Sequence, residues 1–172
     1  KNTQGEQMQK AIQVIFICCI IIKSDLLAHC QVPCGIYDDA LRVISIQEDF
    51  ETINKAINEI IQLQENSEDP NFNQIVRWIN TKEEHATRIQ KTISEYFLIQ
   101  RVKVKNRNDK SEYNNYTNKL ETLHQLMIIA MKCKQNINQE HVHKGKVLLD
   151  KFTKVYFDDH GIKHLKAIKN TL

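Results

Sequence analysis

A chain of 172 residues with 24 Lys and Arg against 21 Asp and Glu, a formal net charge of +3, is too evenly charged to argue for a nucleic-acid partner. Four Gly and two Pro exclude a turn-rich sheet protein and point to an all-α fold, and the length suits one domain around a single core. Five Cys, one of them isolated at Cys133, exclude a disulfide framework.

Residues 1–28 read as a leader to be removed. The sequence begins without methionine, and from Met8 it runs through Lys10 into an apolar stretch, Ala11 to Ile22, broken only by Gln13. That stretch is shorter than the roughly 20 residues of a membrane span and falls in the range of a secretory signal core. The small residue Ala28 stands where a cut would make His29 the first residue. A dedicated maturation protease acting on a non-secretory propeptide would produce the same end, so secretory and cytoplasmic locations both stay open.

Next comes His29-Cys30-Gln31-Val32-Pro33-Cys34-Gly35-Ile36-Tyr37-Asp38, which places an imidazole and two thiols within six residues. A free α-amine on His29 and the amide nitrogen of Cys30 would close one five-membered ring on a metal, and that amide with its own thiolate would close a second. Cys34, folded back by the turn at Pro33-Cys34-Gly35, supplies a fourth in-plane donor, with the His29 ring within reach of an axial position. Such an N2S2 set suits Ni(II) or Cu(II), whereas zinc favours a tetrahedron of side chains. Amide and thiols must lose protons, so binding depends strongly on pH. Without that metal, Cys30 and Cys34 would read as a local disulfide in a secreted helical ligand.

The ordered run H-C-x-x-P-C-G-x-Y-D, carried by His29, Cys30, Pro33, Cys34, Gly35, Tyr37 and Asp38, resembles the nickel hook of the nickel-containing superoxide dismutases. Two positions depart from the common form: Gln31 replaces an aspartate and Asp39 a proline. The resemblance implies a mature enzyme starting at His29, an antiparallel up-down-up-down four-helix bundle, and a homohexamer with one nickel per subunit. It implies metal ligation by His29, Cys30 and Cys34, a hook shaped by Pro33 and Gly35, and a gate at the open face formed by the Tyr37 phenol. The reaction would convert superoxide to dioxygen and hydrogen peroxide. A non-catalytic nickel- or copper-binding bundle is the competing reading, which the change at Gln31 leaves open.

Beyond the hook, apolar residues Val43, Ile46, Phe50, Ile53, Ile57 and Ile60 recur at alternating spacings of three and four, the seam of a helix from Asp38 to about Asn66. Asp38 and Asp39 suit its start, where amides are unpaired. Ser67-Glu68-Asp69-Pro70-Asn71 breaks the pattern. A second helix, from about Asn71 to Arg101, carries Ile75, Trp78, Ile79, Ala86, Ile89, Ile93 and Tyr96, with Lys82 and His85 as polar exceptions in the stripe. Trp78 reads as core or interface, and His85 as a satisfied or half-exposed histidine. Residues 102–112 read as a solvated basic loop.

A third helix is expected from Tyr113 to Asn136 on the seam Tyr113, Tyr116, Leu120, Leu123, Met127 and Ala130, with Cys133 as a small buried hydrophobe. A connection through Ile137 to Val142 leads to a fourth helix from His143 to Phe157, with Leu148, Leu149, Phe152, Val155 and Tyr156 inward. His141 and His143, two apart, would diverge on a helix and read as exposed polar residues. Residues 158–172 form a tail that frays or adds a short helix. The bundle therefore spans 38–157, and it lacks the Glu-x-x-His pairs of di-iron bundles.

Overall fold

Long 3-4 repeats of apolar residues drive helices together because each can bury its stripe only against another. A computed structural model describes residues 38–65 and 71–171, which are helical throughout apart from short connections and contain no strand. The elements are α1 (Asp39–Glu65), α2 (Phe72–Lys91), which runs on as a π-helical segment (Thr92–Arg101), α3 (Lys110–Gln135), α4 (Gln139–Tyr156) and α5 (Asp159–Lys169). The six seam residues of α1 are all buried, and Ala40, Ile44 and Ala56 widen the stripe. Against it pack α2 and α4; α3 lies on α2 and α4, and α5 covers part of α1.

Each helix starts where a side chain supplies the acceptor that its first amides lack. Asp38 accepts from the Ala40 amide at 2.7 Å, Asn71 from Gln74 at 3.2 Å, and Asp109 from Glu112 at 3.0 Å. Asn138 accepts from Glu140 at 2.9 Å and Asp158 from Gly161 at 2.8 Å. These caps move two expected boundaries. α3 begins at Lys110 rather than Tyr113, inside the expected basic loop. α4 begins at Gln139 rather than His143, which turns most of the 137–142 connection into helix. The tail holds an eleven-residue helix, with Leu165 buried.

The buried line of α3 also differs from the expected seam. Leu123 and Ala130 are in the core, but Tyr113, Tyr116, Leu120 and Met127 are half-buried; the deepest positions are Thr122, Leu123, Leu126, Ile129, Ala130 and Cys133. The helix turns this face inward because it is flanked by two neighbours, α2 and α4. On α4, Leu149 and Phe152 are buried as expected, while Leu148, Val155 and Tyr156 are half-buried. At Gly145 the close approach of α4 to α1 requires glycine, since a Cβ there would overlap Cε1 and Cζ of the buried Phe50 ring.

Candidate metal centre

The metal ligands expected from the sequence, His29, Cys30 and Cys34, together with Pro33, Gly35 and Tyr37, lie outside the described residues, as does the leader. Their donor chemistry fits nickel: two thiols, an imidazole and, once residue 28 is removed, a primary amine. Among the described residues no group of three or more His, Cys, Asp or Glu could hold a metal ion. The described residues begin at Asp38, the root from which α1 continues.

At this root the two aspartates take different partners. Asp38 pairs through Oδ2 with His164 Nε2 on α5 while Oδ1 caps the Ala40 amide. Partial burial would raise its carboxyl, but the His164 bond and the Ala40 and Leu41 amides outweigh it and hold the group below the usual carboxylate range. Asp39 accepts the Tyr96 hydroxyl through Oδ1 and the Tyr156 hydroxyl through Oδ2, the latter at 2.7 Å. Arg101 Nε stands 3.0 Å from Asp39 Oδ1, and Arg101 Nη2 donates to Tyr96 Oη at 2.9 Å. The guanidinium carbons of Arg101 and Arg42 lie 4.9 and 5.6 Å from the centre of the Tyr96 ring.

The π-helical segment makes this arrangement possible, closing with the Val102 amide on the Phe97 carbonyl five residues back, at 2.8 Å. It buries both Tyr96 and Phe97 and sets Phe97 edge-on to Phe152 and Tyr156, with centroids 5.1 and 5.4 Å apart. Burial, followed by the hydrogen bond to Asp39, raises both phenols, Tyr156 much further than Tyr96. Both therefore carry their protons at neutral pH. Beside the network opens a cleft of about 310 Å³ lined by Arg101, Lys103, Lys105, Glu112, Tyr116 and Lys119. Lys105 pairs with Glu112, and the Lys119 ammonium sits 5.4 Å from the Tyr156 ring centre. The 102–112 segment is thus partly organised, with Val102 buried.

The polar exceptions of α2 are satisfied within the bundle. Buried Lys82 donates to the Cys133 and Lys134 carbonyls, both at 2.6 Å, and so closes the C-terminal turn of α3. His85 Nδ1 lies 2.8 Å from Oδ1 of buried Asp49, and Arg88 Nη2 donates to the same oxygen at 2.7 Å. Cys133 is fully buried, which pushes its thiol up to about 11 despite Lys82 nearby. Trp78 is half-buried with Lys55 beside its ring, His143 is exposed, and His141 is half-buried rather than exposed. A cleft of about 560 Å³ lies between α3 and α4, where Ile128, Ile129, Val147 and Leu148 are among its walls.

Sequence reasoning missed Asp39, Arg101, Tyr156 and His164. Asp39 is 57 residues from Tyr96 and 117 from Tyr156, so no local spacing joins them. The available signal was Asp39 itself, an acid at a position where proline would start a helix equally well.

No helix among the described residues is long and apolar enough to cross a membrane. No curated protein and no solved structure matches the chain. The family model for nickel-containing superoxide dismutase matches residues 24–160, a range that takes in the hook sequence, all of α1 to α4 and the start of α5. This all-helical chain therefore belongs to the nickel-containing superoxide dismutases, oxidoreductases that act on superoxide with nickel as cofactor.

Proposed function

We propose that the chain dismutates superoxide at an N-terminal hook made of His29 to Tyr37 and exposed by removal of residues 1–28. What carries this reading is the family match over 24–160 together with the order His29-Cys30-x-x-x-Cys34 within it. Nickel held there supplies the one-electron oxidation and reduction by which two superoxide ions and two protons become dioxygen and hydrogen peroxide. The chain supplies the rest. His29 gives its α-amine and ring, Cys30 its amide and thiolate, and Cys34 a second thiolate; two thiolates and a deprotonated amide are strong donors that favour the oxidised ion. Pro33 and Gly35 turn the chain so that the two sulfurs converge.

Tyr37 would contribute a phenol that orders water near the bound metal and limits anions larger than superoxide. Restricted access also protects Cys30 and Cys34 from oxidation by the peroxide product. The helices follow an up-down-up-down course, consistent with short links and with the packing of each helix on its sequence neighbour. The assembly is a homohexamer, and His29 is freed either by cleavage after a secretory signal built on the apolar run from Ala11 to Ile22 or by a dedicated maturation protease acting on a propeptide.

The test combines the mass of the natural N-terminus, nickel per chain and superoxide consumption. A chain starting at His29 with one nickel and rapid turnover is expected. His29→Ala should keep its helical signal yet lose the oxidised-nickel signature and turnover. Fully trimmed protein that stayed nickel-free, or bound nickel without consuming superoxide, would refute the reading, and the second result would favour a non-catalytic metal carrier.

A further inference from the structure

Asp39 sits two residues beyond Tyr37, and the needs of a helix start do not explain its surroundings. Asp38 already caps the Ala40 amide. Asp39 instead gathers the Tyr96 and Tyr156 hydroxyls on its two oxygens, with Arg101 Nε 3.0 Å from Oδ1. One carboxylate thereby ties the first turn of α1 to the π-helical segment and to the last turn of α4. Arg101 closes the network by donating to Tyr96 Oη at 2.9 Å. In an α-helix, residues five apart diverge by about 140°; the wider turn of 92–101 brings Tyr96 and Arg101 onto one side, facing Asp39.

We propose that Asp39 is a positioning residue for dismutation: by holding Tyr96, Tyr156 and Arg101 in one network, it fixes how the chain leaves the bundle toward Tyr37 and the metal-binding stretch. The inference rests on the hook reading above. A carboxylate is the group that fits, because it offers acceptors to two phenol hydroxyls and a negative charge to the Arg101 guanidinium. A carboxamide would turn an N–H₂ against a phenol or the guanidinium and reverse at least one contact. The network also orients Arg101 on the wall of the basic cleft that holds Lys103, Lys105 and Lys119.

The experiment compares mature, nickel-loaded wild type with Asp39→Asn and Tyr156→Phe, measuring nickel per chain, Tm, kcat/KM for superoxide and its pH profile. Asp39→Asn should keep its nickel and lose about tenfold or more in kcat/KM, the scale expected when a reacting group is misplaced by a fraction of an ångström to an ångström. Its basic limb should move to lower pH, because the Tyr96 proton is retained first by burial and then by the Asp39 carboxylate, and the variant loses the second. A merely structural loosening would lower Tm without moving that limb. Tyr156→Phe keeps the ring against Phe97 and Phe152 and should lose about threefold by the same reasoning.

Wild-type kcat/KM and pH profile in nickel-loaded Asp39→Asn would overturn this role while leaving the hook reading intact. Loss of nickel from that variant alone would also overturn it, by placing Asp39 in metal loading instead. If Asp39→Asn fails to fold, unchanged turnover in Tyr156→Phe overturns the proposal. A wild type without nickel or turnover refutes the hook reading, and this inference falls with it.

Discussion

Replacing Gly145 by alanine tests whether the core was built around the contact between α4 and α1. Alanine in a helix interior is favoured over glycine by about 0.8–1 kcal/mol, so at an open position Gly145→Ala would stabilise the protein. Here the added methyl would overlap Cε1 and Cζ of Phe50 and come within 3.1 Å of Cδ1. The ring has no room to yield, being fully buried among the α1 seam and its partners. Overpacking of this kind costs about 1–3 kcal/mol. With the overlap falling on two carbons of a ring that cannot yield, the cost lies in the upper half of that range, so after the propensity gain a net destabilisation of about 1–2 kcal/mol is expected, and a fall in Tm of about 2–8 °C for a domain of this size. Urea titration of wild type, Gly145→Ala, Phe50→Leu and the double variant measures it. The smaller leucine should absorb the methyl, giving a favourable coupling of about 1 kcal/mol between the two changes. A Gly145→Ala protein as stable as wild type or more so, with additive changes in the double variant, would refute the packing argument.

Two further perturbations test other parts of the bundle. Lys82→Met should cost about 2–4 kcal/mol by urea titration, because it strips both the Cys133 and Lys134 carbonyls of their donor in a buried site; a loss under about 0.5 kcal/mol would mean that water serves those carbonyls equally well. Asp38 has a folded-state value below its unfolded one, so its contribution is fully present above about 4, the unfolded value, and is lost as pH falls through the depressed folded value. Hydrogen exchange of α5 should therefore accelerate below that pH in wild type, and Asp38→Asn should show the fast exchange already at neutral pH; identical α5 protection in both proteins would refute the latch between Asp38 and His164.

What the sequence discloses follows from the range of each code. The α1 seam was readable to the residue because 3-4 spacing is a local pattern, and all six of its positions are buried. The proposed hook rests on the same kind of local pattern: donors that chelate through adjacent bonds must be adjacent in the chain. Boundaries were missed where the capping side chain was overlooked, as with Asp109 three residues before Glu112 and Asn138 two before Glu140. On α3, a single-stripe reading chose Tyr116, Leu120 and Met127, but a helix with two neighbours buries a broader face, and the centre of burial shifted to Leu126, Ile129 and Cys133. The Asp39 network left no local trace, since its members come from three elements and meet only after the bundle forms.

The π-helical segment joins these two kinds of information. Ten residues of wider helix are less favourable than the same length of α-helix, so they persist only where tertiary contacts compensate. Those contacts are specific here. Phe97 lies edge-on to both Phe152 and Tyr156, and Tyr96 and Arg101 reach a single carboxylate at the start of α1. Were 92–101 to tighten into α-helix, Arg101 would swing away from Tyr96 by the angle that separates residues five apart, and either the aromatic cluster or the Asp39 network would open. The local cost of the segment and the fixed start of α1 are thus one structural fact: the same turn that weakens α2 at its end holds Asp39 against the rest of the bundle.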